Sequence, residues 1–188
     1  MDNTLLNRIK NDLQEGLITC KVALAFIPIA FLSYLFHEFG HWTIGEILGN
    51  NMSLGLNNSA PQNGFFIKES HALWSAIGGP AFTIVQALIF LFVVWLTKSI
   101  YAYSVVFFAG FMRSFSIVFG GIRLQDEGRI ASMVGVNMWL IALIELSVLF
   151  LILWKSNKIM NLNIKTVGYF TLLGTMAILI VIKTNSLI

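Results

Sequence analysis

The sequence predicts an all-α polytopic membrane protein, with about five transmembrane helices and a small membrane-associated β-hairpin between the first two. Three observations lead there. Apolar residues make up 57% of the 188 and charged residues only 11%, with a mean hydropathy of +0.80, far from the balance of a soluble domain. The apolar residues gather in runs long enough to cross a hydrocarbon core of about 30 Å, with most charges in short segments between them. One longer polar segment, 49–71, is rich in turn formers.

Residues 2–20 mix charges with Leu5, Leu6, Ile9, Leu13, Leu17 and Ile18 in roughly a helical stripe, which predicts an interfacial amphipathic helix lying on the bilayer. The first span covers about 22–48. It is not read as a secretory signal, because no small-residue cleavage site follows and the apolar run continues into a histidine-rich motif. The second, 72–97, contains no charged residue. A third runs over about 100–122 with Arg113 inside it, a fourth over 130–154 with Glu145 inside it, and a fifth over 166–182. Between the first two, residues 52–56 and 65–68 are expected to pair as the hairpin.

Charge and cysteine usage narrow the function classes. Twelve Lys and Arg against nine Asp and Glu give +3, without the dense basic patch of a nucleic-acid binder, so no nucleic acid is expected. The single cysteine, Cys20, excludes an internal disulfide and a thiolate metal cluster. Basic residues between spans divide seven against four in favour of a cytoplasmic N-terminus (Arg8, Lys10, Lys21, Lys98, Lys155, Lys158 and Lys165 against Lys68, Arg123, Arg129 and Lys183).

The chemistry sits in the first span. Two of the three histidines stand four residues apart in His37-Glu38-Phe39-Gly40-His41. On a helix, positions i and i+4 share a face one turn apart, so both imidazoles can reach one Zn²⁺ and the intervening Glu can meet the water it activates. A chance pattern of core histidines is the bland reading. It is weakened because ionisable groups inside an apolar span are costly unless they pair, coordinate or line a wet cavity.

A catalytic zinc takes three protein ligands. After two further spans the chain returns to the face where the first span ends, and the candidate carboxylates at that turn are Asp126 and Glu127. Depth agrees: His37 and His41 fall roughly 12–18 Å below the surface at 1.5 Å per residue. Gly78-Gly79-Pro80 falls about 9–12 Å below it. Those residues permit a close backbone approach and a kink, or form a small-residue packing patch.

These residues together resemble the site-2 protease family of intramembrane zinc metalloproteases. The resemblance spans about residues 22–135 and rests on three elements in order: His37 to His41, then Ala76-Ile77-Gly78-Gly79-Pro80, then Asp126-Glu127-Gly128-Arg129-Ile130. It implies one zinc per chain bound by His37, His41 and Asp126, with Glu38 as the catalytic carboxylate. Glu127 stands where the family usually has glycine, and the asparagine and proline that usually precede the aspartate are absent. The polar segment falls where the family carries a membrane-associated hairpin, and the resemblance is to a compact member without a PDZ domain. The family's usual orientation would put this N-terminus outside, against the charge count.

The expectation is therefore a multi-pass integral membrane protein of one domain: an interfacial helix over 1–20, a catalytic core over 22–135 and additional transmembrane helices over 136–188. Its partners would be the lipid bilayer and a membrane protein or peptide substrate. Substrate contacts are expected at Gly78, Gly79 and Pro80 and, by addition of a strand to the hairpin edge, at Phe65, Phe66 and Ile67. Arg113 and Glu145, both at membrane depth, are expected to pair. His71 is expected to be an interfacial histidine. The competing reading is a non-proteolytic membrane protein that binds metal for transport or structure, which gives no reason for a Glu between the ligand histidines.

Overall fold

The computed structural model describes residues 5–15 and 17–187. Helix α1 (Leu5–Glu15) is followed by the long α2 (Cys20–Ile47), a hairpin of β1 (Met52–Leu54) and β2 (Ser59–Pro61), and the long α3 (Glu69–Thr97). Then come α4 (Ile100–Phe119), a 3-10 turn over Ile122–Leu124, the short α5 (Asp126–Val134), α6 (Met138–Met160) and α7 (Ile164–Asn185). Five helices, α2, α3, α4, α6 and α7, are long and apolar enough to cross a membrane, consistent with a multi-pass membrane protein. Part of the expected amphipathic helix is present as α1; residues 2–4 and 16 and the side chains of Leu5 and Leu6 lie outside the described residues.

Helix α4 occupies the middle of the bundle because its sequence is apolar on every side. Ala102 through Gly110 are buried without interruption. Around it an aromatic cluster closes the core: the ring of Phe170 on α7 packs edge-on against Phe26 at 5.1 Å, Tyr103 at 5.3 Å and Phe107 at 5.4 Å. The outer helices behave oppositely. On α6, Leu140, Leu143, Ile144 and Leu151 are all more than half exposed, an apolar surface that suits lipid and not water.

The expected fourth span is divided. Gly135, at φ 73°, ends α5 in a left-handed cap, and the Asn137 side chain caps α6 by accepting from the Trp139 amide at 2.8 Å. Both are local helix signals. The spanning helix therefore starts at Met138, and residues 126–134 form a separate short helix.

The hairpin is also smaller than expected. Met52 pairs with Pro61, Ser53 with Ala60 and Leu54 with Ser59, while Phe65, Phe66 and Ile67 belong to no strand. Gly55 and Asn58 close a tight turn with a 2.8 Å backbone bond, a shorter loop than the predicted pairing needed and so a smaller entropy of closure. Gly64, at φ 81°, then redirects the chain toward α3. The segment is tied to α2 by the buried Asn50. Its side chain donates to the Gly45 carbonyl (3.0 Å) and to His71 Nδ1 (3.2 Å) and accepts from the Ile67 amide (2.9 Å). Glu46 accepts from the Met52 amide at 2.6 Å.

Helices α2 and α3 meet backbone to backbone. A Cβ on Gly40 would run into the Gly78 carbonyl, and one on Gly78 into the Gly40 carbonyl. Gly78→Ala is therefore expected to cost about 1–3 kcal/mol by forcing the helices apart. Gly110→Ala should be neutral or slightly stabilising, since the added methyl meets nothing nearer than Leu149 Cβ at 3.8 Å. Thermal unfolding in detergent reads both, and equal midpoints would contradict the tight crossing.

Candidate metal centre

Because α3 lies so close to α2, it can hold the imidazoles of His37 and His41 from behind. His41 Nδ1 is 2.7 Å from the Ser75 carbonyl oxygen. A carbonyl only accepts, so Nδ1 carries the hydrogen and Nε2 of the neutral ring presents its lone pair. His37 Nδ1 is 2.9 Å from Thr83 Oγ1, whose own hydrogen goes to the Gly79 carbonyl at 3.2 Å. That hydroxyl therefore accepts from His37, and the second ring takes the same tautomer. Such bonds on the far nitrogen are what orient metal-ligating histidines. Gly79 lies directly beneath both rings, where a Cβ would collide with the two Nε2 atoms.

The carboxylate that meets them comes from α5. The turn that delivers it depends on Gly121, at φ 82°, and on Gly128, where a Cβ would strike the Ile122 carbonyl and the Arg123 backbone. Asp126, at the first position of α5, places Oδ2 3.0 Å from His37 Nε2 and Oδ1 3.4 Å from His41 Nε2. The two Nε2 atoms are 3.2 Å apart. With both neutral rings protonated at Nδ1, lone pairs from three residues converge on one point, and a cation there would satisfy all of them. His37, Glu38 and His41 also form a buried group whose ligand atoms lie within 4.8 Å of one another and could hold a metal ion. Of the two carboxylates, Asp126 is in direct contact with both imidazoles. Among the described residues, Glu38 has no hydrogen-bond or ion-pair partner.

Glu127 turns the other way. Its Oε1 accepts from Arg113 Nη2 at 2.7 Å, while Arg113 Nε donates to Glu145 Oε1 at 3.0 Å. The expected Arg113–Glu145 pair is thus present, and Glu127 completes it. Arg113 also reaches Asp126 Oδ2 through Nη2 and His37 Nε2 through Nη1, each at 3.4 Å. All of these groups are buried, with Glu127 wholly so. Removing Arg113 would strand Glu127 and Glu145 at a cost of several kcal/mol, and removing Glu127 would take away Arg113's closest partner, whereas Asp126 is only a distant third contact at 3.4 Å.

A cavity of about 220 Å³ opens on the centre. Its wall includes Tyr34, Glu38, Arg113, Ser116 and Arg129, and the hairpin tip Asn57-Asn58-Ser59. Gly78, Gly79 and Pro80 are absent from that wall. They are buried in the α2–α3 crossing, where Gly78 and Gly79 serve helix approach and ring placement. Phe65, Phe66 and Ile67 are absent from it too, so the chain segment that borders the cavity is the tip and not the stretch expected. Sequence reasoning missed Tyr34, although it stands one turn before Glu38 on the same helix face. It also missed Ser75 and Thr83, whose role depends on how α3 is rotated.

Asp126→Asn should remove most bound metal with little change in the fold, whereas Glu127→Gln should lower the thermal midpoint and leave metal content near that of the parent. Elemental analysis with thermal unfolding compares them. The opposite ranking would transfer the ligand role to Glu127.

No protein-family model, curated protein or solved structure matches the chain. What the centre can do is therefore carried by its own atoms.

Proposed function

We propose that this protein is an intramembrane zinc endopeptidase, as its resemblance to the site-2 protease family implies, with His37, His41 and Asp126 holding the metal and Glu38 acting as general base. One observation carries the reading: two imidazoles locked in the metal-binding tautomer face a carboxylate, with an unengaged glutamate beside them in a cavity. The 3.2 Å between the two Nε2 atoms suits zinc, since ligands at about 2.0–2.1 Å in a tetrahedron lie roughly 3.3 Å apart, and the two oxygens of Asp126 stand 3.0 Å and 3.4 Å from His37 and His41 respectively. When bound, zinc would lower the pKa of the attacking water to about 7 and polarise the scissile carbonyl.

The protein's own groups do the rest. Glu38 takes the proton of the water as its oxygen adds to the carbonyl carbon. It then returns that proton to the amide nitrogen as the C–N bond breaks, giving a carboxylic acid and an amine, and the acid's remaining proton passes to the amine to leave a carboxylate and an ammonium. A substrate helix hides its peptide bonds in internal hydrogen bonds, and exposing them in hydrocarbon costs several kcal/mol each. Substrate therefore enters unwound, and the hairpin tip over the cavity supplies polar partners for it at Asn57, Asn58 and Ser59.

The alternative, a metal site for structure or transport, leaves Glu38 without a task. Glu38→Gln is expected to retain about one zinc per chain and to lose roughly 10²–10⁴-fold in cleavage of a membrane-spanning peptide. His37→Ala and His41→Ala should each lose most of the zinc. Were Glu38→Gln to lose metal as well, with no cleavage by the parent protein, the non-proteolytic reading would replace this one.

A further inference from the structure

Arg113 does more than its ion pairs require. Two of its three nitrogens are engaged by carboxylates: Nε by Glu145 at 3.0 Å, and Nη2 by Glu127 at 2.7 Å and Asp126 at 3.4 Å. The third, Nη1, makes its only hydrogen bond among the described residues to His37 Nε2, at 3.4 Å. That partner is the lone pair the metal-binding tautomer presents. An ion on His37 Nε2 takes up the lone pair, and Nη1–H is left to donate elsewhere. Arg113 forms part of the cavity wall together with Glu38 and the two histidines, so the donor is released beside the space where substrate reacts.

We propose that Arg113 is a catalytic residue, whose Nη1–H binds the carbonyl oxygen of the scissile peptide as that oxygen becomes negative. The inference rests on the proteolytic reading above. In the step concerned, the water oxygen forms a bond to the carbonyl carbon, its proton passes to Glu38, and the π electrons of the C=O move onto oxygen. Nη1–H meets the charge there. When the C–N bond breaks, the carbonyl re-forms and the hydrogen bond weakens, so the donor acts on the transition state more than on substrate or product.

Two features make a guanidinium suitable so close to a metal centre. Asp126, Glu127 and Glu145 are three carboxylates, and Arg113 with a divalent ion balances them. The planar fork is also held by two glutamates on different helices, α5 and α6, so Nη1 is fixed before substrate arrives and needs no reorganisation as charge develops. Arg129 also borders the cavity but is exposed, and its charge is spent largely on solvent.

Arg113→Lys tests this in the zinc-loaded full-length protein. Lysine keeps a cation for Glu127 and Glu145 but cannot also present a second nitrogen to the cavity. The expected variant retains zinc and a thermal midpoint near the parent's, and kcat on a transmembrane peptide falls roughly 10²–10³-fold with KM little changed. Affinity for a phosphinic peptide, whose tetrahedral anion imitates the charged oxygen, should fall in parallel. The triple variant Arg113→Gln with Glu127→Gln and Glu145→Gln leaves neither glutamate as a stranded buried charge and serves if the lysine variant does not fold. A parental kcat in either variant, or loss of zinc in step with activity in both, would overturn the proposal. If the parent cleaves nothing yet binds the phosphinic peptide in an Arg113-dependent manner, the proteolytic reading falls and the anion-donor role stands. Phosphinic-peptide binding independent of Arg113 overturns the inference alone.

Discussion

Because neither Gly40 nor Gly78 has a side chain, α2 and α3 touch along their backbones, and the candidate metal centre depends on that contact. It brings the Ser75 carbonyl and the Thr83 hydroxyl within 2.7 and 2.9 Å of the two Nδ1 atoms. Those bonds decide both the tautomer and the rotation of the rings. An extra methyl at the crossing would separate the helices and loosen the rings together. Gly79 extends the same requirement by one residue, since the space a side chain would occupy there is taken by the imidazoles.

A second constraint is charge. Arg113 and the carboxylates of Asp126, Glu127 and Glu145 are buried together, where desolvation costs several kcal/mol per ion and is offset only by close, well-directed partners. The network is therefore weak evidence for stability but strong evidence for specification. It joins α4, α5 and α6 through one side chain and fixes the rotation of α5, which decides that Asp126 and not Glu127 faces α2. It also explains how a glutamate is accommodated beside Asp126: it answers Arg113.

The polar segment between α2 and α3 belongs to the centre and not to the periphery. Asn50 ties the end of α2, the chain before α3 and His71 into one unit. That holds the hairpin so that its tip, and not the later Phe65-Phe66-Ile67 stretch, borders the cavity. His71, read from the sequence as interfacial, accepts from Asn50 and anchors this loop.

Five apolar helices, the histidine pair with its intervening glutamate, and the turn holding Asp126 and Glu127 were all legible in the residues. Span length and the i, i+4 spacing are local properties, set by composition and by the 3.6-residue repeat. The short polar turn after α4 likewise showed where a carboxylate returns to the histidines. What the sequence left open depended on rotation and register between distant segments. The choice of Asp126 over Glu127 follows from how α5 turns on its axis, and the tautomers follow from which face of α3 meets α2. Gly135 and Asn137 did signal the break between α5 and α6, but the apolar run around them concealed it. The hairpin register was missed because Ser59-Ala60-Pro61 carries turn formers and no apolar strand pattern, whereas Phe65-Phe66-Ile67 does; the tight Gly55–Asn58 turn pairs the former with β1. Arg113 could be predicted to pair with Glu145, but only the packed bundle could also bring it to Glu127, Asp126 and His37, because those contacts add α5 and α2 to the α4–α6 pair.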